Sequence, residues 1–96
     1  MKLTEYCEGF IDEVEDAKKY AEKYIDCKAR GSEHARKYYD MAEDELKHAG
    51  NLHDFAGEEA EKLRETYKSD VFDDAWNESN KKYAEICASV KWMLTL

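Results

Sequence analysis

A chain of 96 residues with 40% charged and 43% apolar residues, no proline and a formal charge of −8 has the composition of one small helical domain, spanning 1–96. The excess of carboxylates excludes a nucleic-acid surface, which needs clustered Lys and Arg. No apolar run approaches the ~20 residues of a membrane span, so no membrane is expected as a partner. The N-terminal stretch MKLTEYCEGF lacks the apolar centre of a signal peptide, and the expected location is cytoplasmic. Cys7, Cys27 and Cys87 are odd in number and show no C-x-x-C spacing. They encode neither a disulfide framework nor a thiolate metal site, and are expected to pack as small apolar side chains.

The first element in the chain is an amphipathic helix. Leu3, Tyr6, Phe10, Val14, Ala17, Ala21 and Tyr24 recur at steps of three or four residues, which predicts a helix over 3–29. Gly31 is its expected stop, and Ser32 the expected N-cap of a second helix over 33–67. So short a turn makes the two helices antiparallel neighbours. Gly50 and Gly57 weaken the second helix without the usual stop signals, and are candidates for a bend. Lys68, Ser69 and Asp70 form the next break, with Ser69 or Asp70 as cap. A third helix over 70–94 then carries Phe72, Trp76, Tyr83, Ile86, Cys87, Val90, Met93 and Leu94, a stripe interrupted by Ser79 and Asn80.

Three polar residues stand out against this pattern. Tyr38, Met41, Ala42, Ala49, Leu52, Ala56, Ala60 and Leu63 fall within roughly 60° of Glu45 on a helical projection. Glu45 is therefore expected near the middle of the apolar stripe and His48 on its edge, both directed inward. On the first helix Glu13 projects between Phe10 and Ala17, about 40° from the centre of the apolar face, while Glu8, Asp12, Glu15 and Glu22 point away. Buried ionised carboxylates cost several kcal/mol unless something compensates them, and a bound cation would serve all three groups. The alternative is that Glu13 and Glu45 lie at an edge and make ordinary hydrogen bonds or ion pairs. His34 is expected inward, as a hydrogen-bonded core or interface residue too far from Glu45 to share its metal. His53 is expected at the stripe's edge in a surface role, and Glu59 is not expected to be a ligand.

Glu13, followed seven residues later by Tyr20, and then the stretch MAEDELKHA on the next helix, resembles the first helix pair of ferritin-like proteins: ferritins, rubrerythrins and the small encapsulated ferritins. The resemblance covers about 3–55. In that superfamily a Glu on one helix and an E-x-x-H on the next supply half of a di-iron centre, and a complete centre takes two of each. The resemblance implies metal ligation by Glu13, Glu45 and His48, with Glu45 bridging and the other two terminal. It implies iron as the metal, with manganese or zinc as alternatives compatible with carboxylate and imidazole ligands. The chemistry it implies is oxidation of Fe(II) by O2 or peroxide, a ferroxidase-type oxidoreductase activity. Tyr20 and Tyr38, seven residues from Glu13 and Glu45 on the same faces, would hydrogen-bond to ligands or donate an electron; as residues alone they read equally well as core tyrosines with wet hydroxyls.

The chain departs from a full ferritin bundle after the second helix, because no His follows His53 and Glu78 and Glu85 lie off the third stripe. One chain therefore encodes half a site, and the expected partner is a second copy: an all-α, long antiparallel hairpin plus a third helix, pairing into a ferritin-like four-helix bundle as a two-fold dimer or ring of dimers. A shell protein is a further partner that the resemblance implies, although no extended targeting tail is evident after the third helix. Two other functions fit the same residues: a non-catalytic assembly module docking through Trp76, Tyr83 and Trp92, and a rubrerythrin-like peroxide-reducing protein, whose cysteine-ligated electron-transfer site is not encoded here.

Overall fold

The structure, a computed structural model, describes residues 2–67 and 70–96, without the side chains of residues 70–72. Lys68, Ser69 and the caps expected there lie outside the described residues, as does the side chain of Phe72. The fold is all-α: α1 is Leu3–Ala29, α2 is Ala35–Thr66 and α3 is Asp70–Met93.

Between α1 and α2 the chain reverses through a Schellman turn. Gly31 takes φ +68°, a left-handed conformation that glycine adopts without a steric penalty. Its N–H donates to the Lys28 carbonyl at 3.1 Å and the Ser32 N–H to the Cys27 carbonyl at 2.8 Å, which satisfies the last orphan carbonyls of α1. Ser32 does not cap α2 directly. Its Oγ accepts the His34 N–H at 3.2 Å inside the turn, and α2 starts at Ala35, two residues later than the pattern predicts. His34 occupies the N-cap position and is exposed, not inward as expected. α2 then runs without interruption through Gly50 and Gly57.

Alanines set the distance between α1 and α2. The buried residues of α2 are Ala42, Ala49, Ala56 and Ala60, and small side chains at a helix contact permit close axial approach. α3 lies along one side of this hairpin, parallel to α1 and antiparallel to α2. Trp76 packs with Phe10, Ala56 and Ala60 at one end. Cys87 packs with Val14 and Ala49 in the middle, and Val90 with Ala17, Ala21 and Ala42 at the other end. The result is a rod of 54 × 20 × 15 Å. Among the described residues no helix is long and apolar enough to cross a membrane.

Two polar positions that break the α3 stripe each meet a polar side chain of the hairpin. His53 Nε2–H donates to Asn80 Oδ1 at 2.6 Å, and Ser79 lines a surface cleft with Cys7, whose thiol pKa is raised, chiefly by burial. His53 is thus not at the surface. Its ring stacks on Tyr83 at 4.4 Å and 8°, lies 5.9 Å from Trp76, and meets Phe10 edge-on at 5.2 Å. Of the three aromatic residues considered for docking, Trp76 is buried, Tyr83 is half-buried, and Trp92 alone is mostly exposed, at 63%.

Candidate metal centre

Because α3 covers only one side of the hairpin, the groove between α1 and α2 stays open on the other. At 100° per residue, Leu46, His53 and Ala60 of α2 turn toward α3, while Met41, Glu45, His48, Leu52 and Phe55 turn away from it. Glu13 occupies the matching side of α1, one residue before Val14. The open side carries exposed apolar surface, with Met41 39% and Phe55 49% accessible.

The antiparallel register brings the three expected ligands together. Tyr6 stands opposite Phe55, with ring centroids 5.8 Å apart; Gly9 stands opposite Leu52; Glu13 stands opposite His48; and Lys23 lies over the Tyr38 ring at 5.6 Å. Within this register His48 Nδ1 is 3.9 Å from Glu13 Oε2 and 3.8 Å from Glu45 Oε1. One ligand atom from each of the three residues lies within 4.8 Å of the others.

These separations have a chemical meaning. They exceed hydrogen-bond length, so the three side chains are not bonded to one another. Two metal–ligand bonds of about 2.1 Å reach across about 4.2 Å at most, so small rotamer adjustments let all three donors share one ion. The donor set, two carboxylates and one imidazole, suits a divalent first-row metal. Among the described residues neither carboxylate lies within ion-pair distance of a Lys or Arg, and the adjacent acids Asp12, Glu43 and Asp44 also have no such partner; Asp16 pairs with Lys19, and Glu15 with Lys82. Glu59 likewise holds Lys62, at 3.3 Å.

The depth of the trio differs from the inward placement expected for it. The side chains of Glu45 and Glu13 are 22% and 32% accessible, and that of His48 is 57% accessible. The cause is the breadth of the α2 stripe. The alanines fill the α1 contact, and the flank bearing Met41, Glu45 and His48 has, beyond the edge of α1 that carries Glu13, no covering helix among the described residues.

Tyr20 and Tyr38 are half-buried but are not drawn to the trio. Tyr20 packs against the layer of Ala17, Ala21, Ala42 and Val90, and neither hydroxyl hydrogen-bonds to Glu13, Glu45 or His48. Tyr38 instead lines a shallow surface cleft with His34, Lys37 and Met41.

Two groups escaped the sequence reading. Gly9 approaches Leu52 so closely that a Cβ there would meet Leu52 Cδ1 at 3.0 Å. The aromatic cluster around His53 was foreshadowed only by Ser79 and Asn80 interrupting an otherwise apolar stripe. In that cluster burial, with a hydrogen bond to Cys87 and the nearby Cys87 and Asp54 groups, pushes the Tyr83 hydroxyl up to about 12. Comparison of the chain with family models, curated proteins and solved structures found no match.

Proposed function

We propose that this protein is a ferritin-like di-iron ferroxidase whose site is shared by two copies of the chain. The observation that carries the proposal is the convergence of Glu13, Glu45 and His48 to within 4.8 Å on the side of the hairpin that α3 leaves open. Three donors leave coordination positions of an iron ion unfilled, and the side on which they stand is also where Met41 and Phe55 expose apolar surface. A two-fold axis along that side would set each trio against its copy, because a C2 interface is self-complementary. The pair of hairpins then forms a four-helix bundle, with one α3 covering each outer side.

The roles of the residues follow from their positions and from the resemblance. Glu45, the least accessible of the three, would bridge the two ions; Glu13 and His48 would each complete one end. Fe(II) is the substrate, and hard carboxylate donors favour the Fe(III) product over it. Each ion gives up one electron, and the two electrons, with two protons from solvent, take peroxide to water. With O2 as the oxidant the same two electrons and two protons give hydrogen peroxide, and two further Fe(II) ions with two protons take that on to water. With no Lys or Arg within ion-pair distance among the described residues, the two carboxylates also attract the cation before it binds.

The test is oxidation of Fe(II) under air, followed by absorbance of the Fe(III) product, beside analytical ultracentrifugation and elemental analysis for iron, manganese and zinc. The proposal requires oxidation faster than in buffer, a dimer or multiple of dimers, and loss of the rate in Glu45→Ala. Oxidation no faster than in buffer sinks it.

A further inference from the structure

Glycine inside a helix weakens it relative to alanine, through backbone entropy and lost side-chain burial. Gly9 sits in the second turn of a 27-residue helix and has an ordinary helical backbone; the only glycine of the chain with positive φ is Gly31. Conformation therefore gives no reason for a glycine at this position. Space does. A Cβ at Gly9 would stand 3.0 Å from the end of the Leu52 side chain at Cδ1, tighter than Cβ contacts ordinarily are, so that Leu52 would have to give by a few tenths of an ångström, whereas a Cβ at Gly57 meets nothing within 4 Å and one at Gly50 meets only the Tyr83 hydroxyl, at 3.9 Å.

The contact lies where it bears on the trio. Gly9 is four residues before Glu13 on α1, and Leu52 is four residues after His48 on α2. The Gly9–Leu52 pair is thus the next rung of the register, about 6 Å along the hairpin from the Glu13–His48 rung. Leu52 is half-buried and packs toward Phe10 and Ala56, so it is held from the core side. Whatever separates α1 from α2 at this rung separates them at the next.

We propose that Gly9 is a positioning residue for the metal centre: its missing side chain lets Leu52 seat against α1 and so fixes the gap across which Glu13 meets Glu45 and His48. The inference rests on the metal-binding reading of those three residues. Bonds to a metal tolerate deviations of about 0.2 Å, so once the three side chains have turned onto one ion, a few tenths of an ångström added between the helices weakens the Glu13 bond before it disturbs the core.

Binding of Co(II), read from its visible absorption, tests this together with thermal melting of the same samples. Wild-type protein binds Co(II). Gly9→Ala binds about tenfold more weakly, the size of loss that follows when a ligand's supporting partner is changed, and Gly9→Leu more weakly still, while the Gly9→Ala helix melts no lower than wild type. Gly57→Ala binds as wild type does. Adding Leu52→Ala to Gly9→Ala restores most of the lost Co(II) affinity, because the methyl group then has room. Equal binding by wild type and both Gly9 variants overturns the inference, and so does a Gly9→Ala loss that Leu52→Ala fails to repair. If the wild type itself takes up no Co(II), the metal-binding reading falls first and the role of Gly9 falls with it.

Discussion

His48 Nδ1 and Glu13 Oε2, on different helices, stand 3.9 Å apart with no hydrogen bond between them, and Glu45 Oε1 lies 3.8 Å from the same nitrogen. The arrangement is held by the hairpin register, not by attraction among the three groups. The two carboxylates, each with an oxygen within 4.8 Å of the other's and no Lys or Arg partner among the described residues, repel one another in the absence of a cation. Glu45→Gln should therefore leave the metal-free melting temperature unchanged or slightly raised, while abolishing the stabilisation that a bound metal gives the wild type. At a free metal concentration of one hundred times Kd that stabilisation is about 2.7 kcal/mol. Paired melts with metal and with chelator measure it, and a wild-type protein whose melting point ignores added Fe(II), Mn(II) and Zn(II) would count against a metal centre.

His48→Ala separates site from fold in a second way. With 57% of its side chain accessible, His48 contributes little packing, so truncation should change folding stability by no more than about 0.5 kcal/mol. The helical circular dichroism spectrum should persist while metal-dependent oxidation of Fe(II) disappears. If the spectrum and the oxidation are lost together, the residue is structural.

The half-site proposal places the dimer on the open side of the hairpin. Introducing charge there, as in Met41→Glu or Phe55→Glu, buries an unpaired carboxylate in the dimer but leaves it in water in the monomer. Sedimentation should show the variants as monomers with native helicity and reduced affinity for the second metal ion. A variant that stays dimeric would move the interface elsewhere on the rod.

Helical periodicity made the three helices legible, and it also singled out Glu13, Glu45 and His48, because a charged residue inside a 3.6-residue stripe is conspicuous wherever it points. What periodicity does not divide is a wide stripe with two neighbours. On α2 the stripe predicts an inward face, yet only Ala42, Ala49, Ala56 and Ala60 are buried; one flank, through Leu46 and His53, meets α3, and the other, through Met41, Glu45 and His48, reaches only the edge of α1, where Glu13 stands opposite His48. His53 and His34 exchange their expected environments for this reason. His53 lies on the flank that α3 covers, and His34 precedes a helix that starts two residues late. Gly9 was illegible because its partner, Leu52, is defined only once the register of the hairpin is known.

Asn80 supplies the partner for the one His53 nitrogen whose hydrogen bond crosses from α2 to α3. Asn80→Ala leaves a half-buried N–H unpaired in an aromatic setting, at a cost of about 1 kcal/mol. Trp76→Ala removes a 9% accessible indole from between Phe10, Ala56 and Ala60, and should cost about 3–5 kcal/mol. Urea unfolding curves should rank the two variants in that order. An Asn80→Ala loss as large as that of Trp76→Ala would mean that the polar contact, not the aromatic packing, holds α3 in place.

Alkaline pH should loosen the same contact through Tyr83. Burial first, and then Cys87 and Asp54, raise its folded pKa to about 12, against about 10 for a tyrosine in an unfolded chain. Below pH 10 the hydroxyl is protonated in both states and the contact is intact. Between about pH 10 and 12 the unfolded chain releases this proton and the folded chain keeps it, so each step up in pH favours unfolding, and the contribution is gone once the folded hydroxyl ionises as well. Tyr83→Phe removes the ionisation but keeps the stack on His53, whose planes lie 8° apart. Denaturation midpoints measured from pH 8 to 12 should fall less steeply above pH 10 in Tyr83→Phe than in the wild type, while below pH 9 the two run parallel. Curves that stay parallel throughout would place the alkaline sensitivity in other groups, the remaining tyrosines and lysines, and leave the Tyr83 hydroxyl without a part in stability.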